Sequence, residues 1–199
     1  MTLVRHGATD WNRDGRFQGQ SDIPLNEEGR AQAQALARVL GGERFDAVVS
    51  SDLSRAYDTA RAIAAKSGIV VERDSRWREF AFGTWEGLKW GQIVERYPNL
   101  ARESGMKPAY YTPDGGESFD EVCSRVGAAL ASLREGARAR VLVATHAGAL
   151  HAALRALFGP GADALGVRLF PAGITRVTLD ADRATLVTLN ETGHLLTLG

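Results

Sequence analysis

Val141-Leu142-Val143-Ala144-Thr145-His146-Ala147-Gly148 is an apolar run of strand length that stops at a histidine and opens through a glycine into a helical pattern reaching Phe158. Leu3-Val4-Arg5-His6-Gly7 has the same grammar near the start of the chain. Apolar runs that do not alternate with polar residues belong to strands buried on both faces, as in parallel sheets covered by helices. Two more lie at Phe45 to Val49 and at Ile69 to Val71. Ile174 to Leu179 and Leu186 to Leu189, joined through Asp180-Ala181-Asp182, read as a late hairpin.

Helices fill the gaps. Asn26 is placed to cap one whose first turn carries Glu27 and Glu28, with Leu36, Val39 and Leu40 on its apolar side. Another starts near Ser51-Asp52 and runs through Ala56, Ala60 and Ile63. The clearest begins at Ser118, where Ser118 and Glu121 form a capping box and Phe119, Val122, Val126, Leu130 and Leu133 recur at helical spacing. The alternation predicts a three-layer α/β/α sandwich around a mostly parallel central sheet, as one domain over 1–199. Tyr97 to Gly116 holds three prolines and a Gly-Gly pair without a clean period, and is expected to be a lid-like insertion over the sheet edge.

Lys plus Arg equals Asp plus Glu at 24 each, which argues against a nucleic-acid surface or a polybasic membrane patch. Cys123 is the only cysteine, so no intrachain disulfide can form. A reducing, cytoplasmic setting is the expectation. Thr2-Leu3-Val4 reads as a strand rather than a leader peptide, and the most apolar stretch, Ala147 to Ile174, is broken by His151, Arg155, Asp163 and Arg168.

Four segments carry chemistry. Arg5, His6 and Gly7 fall where the first strand ends, the edge at which open α/β sheets bind ligands. A neutral imidazole there can accept a phosphoryl group. Arg5 offers a planar fork to phosphate oxygens, Gly7 lets the backbone come close, and Asn12 can donate a further hydrogen bond. Arg55 falls in the first turn of a helix after a strand, where free N–H groups already favour an anion. Glu79 sits in sequence among Trp77, Phe80, Phe82 and Trp85, a setting that suits a carboxyl able to give its proton to a leaving alkoxide, with Glu86 as the competing carboxylate. His146 ends the fourth run, and two histidines that each end a parallel strand would meet at one sheet edge. His151 and His194 read as structural or surface residues. The partners of His6 and His146 are arginines, which repel a cation and attract an anion, so no metal site is expected.

Together these segments resemble the histidine phosphatase superfamily, also called the phosphoglycerate mutase-like family. Arg5-His6-Gly7 with Thr9 and Trp11-Asn12 is similar to that family's signature. Gln18-Gly19, Pro24 to Gly29, Ser51-Asp52-Leu53 with Arg55-Ala56 and Thr59-Ala60, Glu79 with Gly83 and Glu86-Gly87, and Thr145-His146 continue it in order. Ala8 departs from it, because many relatives carry Glu there.

The resemblance implies a phosphohistidine on His6, and a phosphate pocket of Arg5, Arg55 and His146 aided by Asn12. It also implies substrate contacts at Gln18, Gly19 and Ala147, and Glu79 as proton donor and then acceptor. No metal and no cofactor are implied. The expected activity is phosphomonoester hydrolysis on a small phosphorylated metabolite, with α-ribazole phosphate, a phosphoglycerate-type ester or a sugar phosphate all open. The alternatives are a phosphoglycerate mutase, disfavoured because Tyr97 to Gly116 is short and holds only Arg102 and Lys107 as bases, and a catalytically inactive phosphate-binding module. The oligomeric state is left open, with a homodimer as the candidate assembly. Trp85 and Trp90 are expected in core packing, while Tyr110 and Tyr111 could wall a leaving-group site.

Overall fold

The computed structural model describes residues 1–98, 112–136, 138–161, 166–180 and 183–198. Six strands form one sheet: β1 (Thr2–Arg5), β2 (Ala47–Ser50), β3 (Val71–Arg73), β4 (Val141–Thr145), β5 (Ile174–Leu179) and β6 (Ala184–Glu191). Their order is β3-β2-β4-β1-β5-β6. The first four run parallel, and β5 and β6 add an antiparallel hairpin beside β1.

Successive side chains of the parallel strands point to opposite faces, and both faces are buried. Leu3, Val49 and Val143 pack on one side with Val122, Val126 and Leu130 of one helix and Ala149, Leu150 and Ala153 of another. Val4, Val48, Leu142 and Ala144 pack on the other with Leu36, Leu40, Ala60 and Ile63. The helices in chain order are α1 (Asp10–Asp14), α2 (Glu27–Leu40), α3 (Ser54–Ala64), α4 (Trp90–Arg96), α5 (Phe119–Glu135) and α6 (Ala147–Phe158). Thus α5 and α6 cover one face of the sheet and α2 and α3 the other, giving the expected three layers.

The caps follow the sequence. Asn26 Oδ1 accepts from Gly29 N, and Ser118 with Glu121 closes the reciprocal capping box. Two local expectations need correction. Val39 is exposed, because the apolar face of α2 rotates past it toward Leu36 and Leu40. The third strand is Val71–Arg73 rather than Ile69 to Val71, because its ladder starts where Val71 meets Val48 and leaves Val70 in solvent. Trp85 is fully buried in a small separate cluster with Ile93, Phe17, Phe82 and Trp90, which bears out the packing role expected of Trp85 and Trp90. Most of the expected lid at 97–116, with Tyr110 and Tyr111, lies outside the described residues. Among the described residues, no helix is long and apolar enough to cross a membrane.

Candidate active site

Sheet register brings the site together. Arg5 is paired with Thr145, and His6 N donates to Thr145 O at 2.9 Å. On the other side of β4, Ser50 pairs with Ala144 and Ser51 N donates to Ala144 O at 3.0 Å. The C-terminal ends of β1, β4 and β2 therefore lie side by side, and the chain leaves them through His6, His146 and, in the first turn of α3, Arg55. The His6 and His146 rings lie 5.0 Å apart between centroids. Gly7 permits this geometry, though its close approach is to protein rather than ligand: a Cβ there would overlap the Gly29 carbonyl of α2.

Hydrogen bonds fix the tautomers of both rings. His6 Nδ1 lies 2.6 Å from Gly7 O, a carbonyl that can only accept, so Nδ1 carries the proton and Nε2 presents a lone pair. His146 is the reverse. The Arg55 Nε–H donates to His146 Nδ1 at 3.2 Å, which places the proton of the neutral ring on Nε2. That Nε2 is buried without a hydrogen-bond partner, as is Arg5 Nε. Buried donors are almost always paired, so two orphans at one sheet edge mark a place for an acceptor.

Both imidazoles are held well below the usual histidine range. For His6 burial is the main cause, then Arg55 and Arg5, against the Gly7 carbonyl. For His146 burial again leads, followed by Arg55, His6, Arg5 and Arg125. Burial also pulls Arg5 down to about 10, with Glu79 opposing, so it remains a cation at neutral pH. Its Nη1 donates to Leu169 O at 2.5 Å. Arg55 is fully buried and donates from Nη1 to Ser21 O and from Nη2 to Gly19 O, at 2.8 and 2.7 Å.

A cleft of about 270 Å³ opens over this edge. Arg5, His6, Asn12, Gln18, Gly19, Arg55, Glu79 and Ala147 all line it, so these sequence-predicted residues converge on one surface. His146 lies behind it, against His6 and Arg55. Asn12 is partly committed elsewhere, since its Oδ1 accepts from Thr9 N and Thr9 Oγ1 to cap α1. Gln18 Oε1 accepts from Thr9 Oγ1 at 2.9 Å.

The two carboxylates separate clearly. Glu86 accepts from Gln20 N, Ser21 N, Ser21 Oγ and Phe82 N, and so braces the loop over the cleft. Glu79 accepts from Phe80 N at 2.9 Å and Gly148 N at 3.2 Å and faces the cleft. A Cβ at Gly148 would collide with this carboxylate, which explains the glycine. The aromatic surround expected of Glu79 is only partly present: Trp77 and Phe80 pack into the main core and Trp85 into the small cluster, leaving Phe82 in the cleft wall.

Sequence reasoning missed Gly15, Arg16, Phe17, Phe82 and Gly148 as lining residues. The Gly148 N–H was findable, since the first N–H groups of any helix lack internal partners. Arg16 and Phe17 adjoin Gln18-Gly19 in sequence but follow no period. His194 lies partly buried in the closing 3-10 turn, and its pKa is lowered by burial.

The family model described as "Histidine phosphatase superfamily (branch 1)" matches residues 1–192. The chain is 46% identical over 125 residues to glucosyl-3-phosphoglycerate phosphatase of Mycobacterium tuberculosis, a stretch covering 63% of this chain and only 56% of that protein. It is 36% identical over 160 residues to phosphoserine phosphatase 1 of Hydrogenobacter thermophilus, covering 80% and 76%. The solved mycobacterial glucosyl-3-phosphoglycerate phosphatase in complex with VO3 superposes with a TM-score of 0.86 at 36% identity, over 96% of this chain and 99% of that one.

Proposed function

This chain belongs to the histidine phosphatase superfamily, and on that footing we propose that it hydrolyses phosphomonoesters of small metabolites through a phosphohistidine on His6. The observation that carries this reading is the opposed tautomers: a bare His6 Nε2 beside two orphaned donors, His146 Nε2–H and Arg5 Nε–H. Three oxygens of a phosphoryl group would supply the acceptors these donors lack.

In the first step His6 Nε2 attacks phosphorus. The N–P bond forms as the bond to the leaving oxygen breaks, and its electron pair goes to that oxygen, which takes a proton from Glu79. Arg5, Arg55 and His146 offset the charge that spreads over the phosphoryl oxygens. In the second step water attacks phosphorus, Glu79 takes the water's proton, and the N–P electrons return to His6. Burial and the two guanidinium groups keep His6 uncharged, so its lone pair is ready at neutral pH. The positive lining also favours an anion over a cation, which supports a metal-independent reaction.

The named activities of the relatives suggest phosphate esters of small carboxylic acids as the first substrates to try. A cytoplasmic location fits such substrates and the single cysteine.

The test is phosphate release from p-nitrophenyl phosphate, phosphoserine, 3-phosphoglycerate, sugar phosphates and α-ribazole phosphate, with EDTA present and His6→Ala alongside. Release that survives EDTA and vanishes in the variant is expected. Isomerisation of 3-phosphoglycerate outpacing release would make the chain a mutase. Phosphate binding with no turnover on any substrate would make it an inactive module.

A further inference from the structure

We propose that Arg125, on α5 and absent from the cleft lining, is a positioning residue that fixes the backbone carrying Glu79 and thereby governs proton transfer to the leaving group. This rests on the phosphatase reading above.

Residues 78–82 lie in neither helix nor strand, so no ladder holds them. Arg78 is held by Asp52, Phe80 by the core and Phe82 N by Glu86, and the carbonyls on either side of Glu79 are gathered by one ion pair. Arg125 Nε and Nη2 grip Glu117 Oε1 and Oε2 at 2.7 and 2.8 Å. The remaining N–H groups donate to backbone carbonyls: Nη1 to Arg76 O at 2.9 Å and Arg78 O at 2.7 Å, and Nη2 to Glu79 O at 2.9 Å. An arginine has five N–H donors, and all five are used.

Glu117 extends the clamp. Its Oε2 also accepts from Ala81 N at 2.9 Å and Gln20 Nε2 at 3.3 Å, and Gln20 Nε2 reaches Glu79 O at 3.2 Å. The carbonyls of residues 76, 78 and 79 and the amide of 81 thus all end on this pair or its Gln20 brace, with Glu79 in the middle. Burial pushes the Glu117 carboxyl up, but hydrogen bonds from Arg125 and Ala81 outweigh it and hold the group below the usual carboxylate range. Among the described residues, Gly148 N is the one hydrogen-bond donor from another element that reaches the Glu79 carboxylate. Its aim therefore depends on the clamp. A lysine could keep the charge but not span three carbonyls and a carboxylate.

The chemistry provides a specific readout. An alkoxide leaves poorly and needs the Glu79 proton as the P–O bond breaks, whereas p-nitrophenolate leaves without it. A displaced Glu79 should therefore slow alkyl phosphates and spare aryl ones, while a general weakening of the fold would slow both alike.

The experiment measures kcat/KM for p-nitrophenyl phosphate and for the alkyl phosphate turned over fastest in the panel above. It uses wild type, Arg125→Lys and Glu117→Gln, each with and without Glu79→Gln. The expected loss is about 10–100-fold on the alkyl ester and less than about threefold on the aryl ester. In the Glu79→Gln background, where there is no acid to aim, Arg125→Lys should add less than about twofold. If Arg125→Lys does not fold, the near-isosteric Glu117→Gln makes the same comparison. Equal losses on both esters, or full losses in the Glu79→Gln background, would overturn the positioning role and leave the hydrolytic reading intact. Wild-type protein inert on alkyl phosphates would bring down the hydrolytic reading and this proposal with it.

Discussion

The sheet has two halves that meet at β1, and they do different work. In the parallel half, β2, β4 and β1 are buried on both faces, and their C-terminal ends deliver Arg55, His146 and His6 to one edge. In the antiparallel half, β6 alternates partly buried and exposed residues, Val187 stands 55% exposed, and neither β5 nor β6 lines the cleft. Its contribution is backbone. Leu169 O and Gly173 O, just before β5, accept from Arg5, and Ala172 N donates to the Arg5 and His6 carbonyls. Parallel strands end at the same edge of a sheet, so their following residues can converge on a ligand. A hairpin sends consecutive ends to opposite edges, so it can brace a site but not easily assemble one.

This division can be broken by experiment. Glu79→Gln should cost about 10²–10⁴-fold in kcat/KM on alkyl phosphates, the usual worth of a proton-transfer residue. Glu86→Gln should lower Tm and reduce activity on alkyl and aryl esters by the same factor. A leaving-group dependence for Glu86→Gln equal to that of Glu79→Gln would reverse the roles assigned to the two carboxylates.

Arg55→Lys should weaken turnover by about 10²-fold, because a point charge cannot reach Gly19 O, Ser21 O, His146 and a phosphate together. Steady-state kinetics and phosphate inhibition would measure this. An activity within threefold of wild type would show that the fork geometry is dispensable.

A smaller effect concerns acid. His6 and His146 are kept neutral in the fold, so the unfolded chain binds protons that the folded chain refuses. Their contribution is complete above about pH 6.5, the unfolded value, and stability falls as pH drops below it. Urea titrations between pH 7.5 and 5 should show that slope, and His146→Asn should flatten it. An unchanged slope would argue against neutral burial of His146.

Least of all, Val187→Thr on the solvent face of the hairpin should shift stability by no more than about 0.5 kcal/mol and leave kcat/KM unchanged. A clear loss of activity there would mean that the hairpin reaches the site after all.

How much of this was legible beforehand depends on how local the signal is. Buried strands, helix caps at Asn26 and Ser118 and the histidines at two strand ends all rest on patterns within a few residues, and the structure has them. The convergence of His6 and His146 also followed, since two parallel strands in one sheet share an edge. The choice between Glu79 and Glu86 did not follow. It turns on backbone amides at Gly148, Gln20 and Ser21, and these lie some 65 to 70 positions away in the chain.

The sequence by itself determined the layered fold, the family and the set of chemical groups, because periodicity and strand-end motifs are properties of short segments. Only the tertiary structure decided which imidazole nitrogen is bare, which carboxylate faces the cleft and that Arg125 braces the segment between them. Those outcomes are set by hydrogen-bond distances between residues such as Arg55 and His146, 91 positions apart, and no local pattern records such a distance.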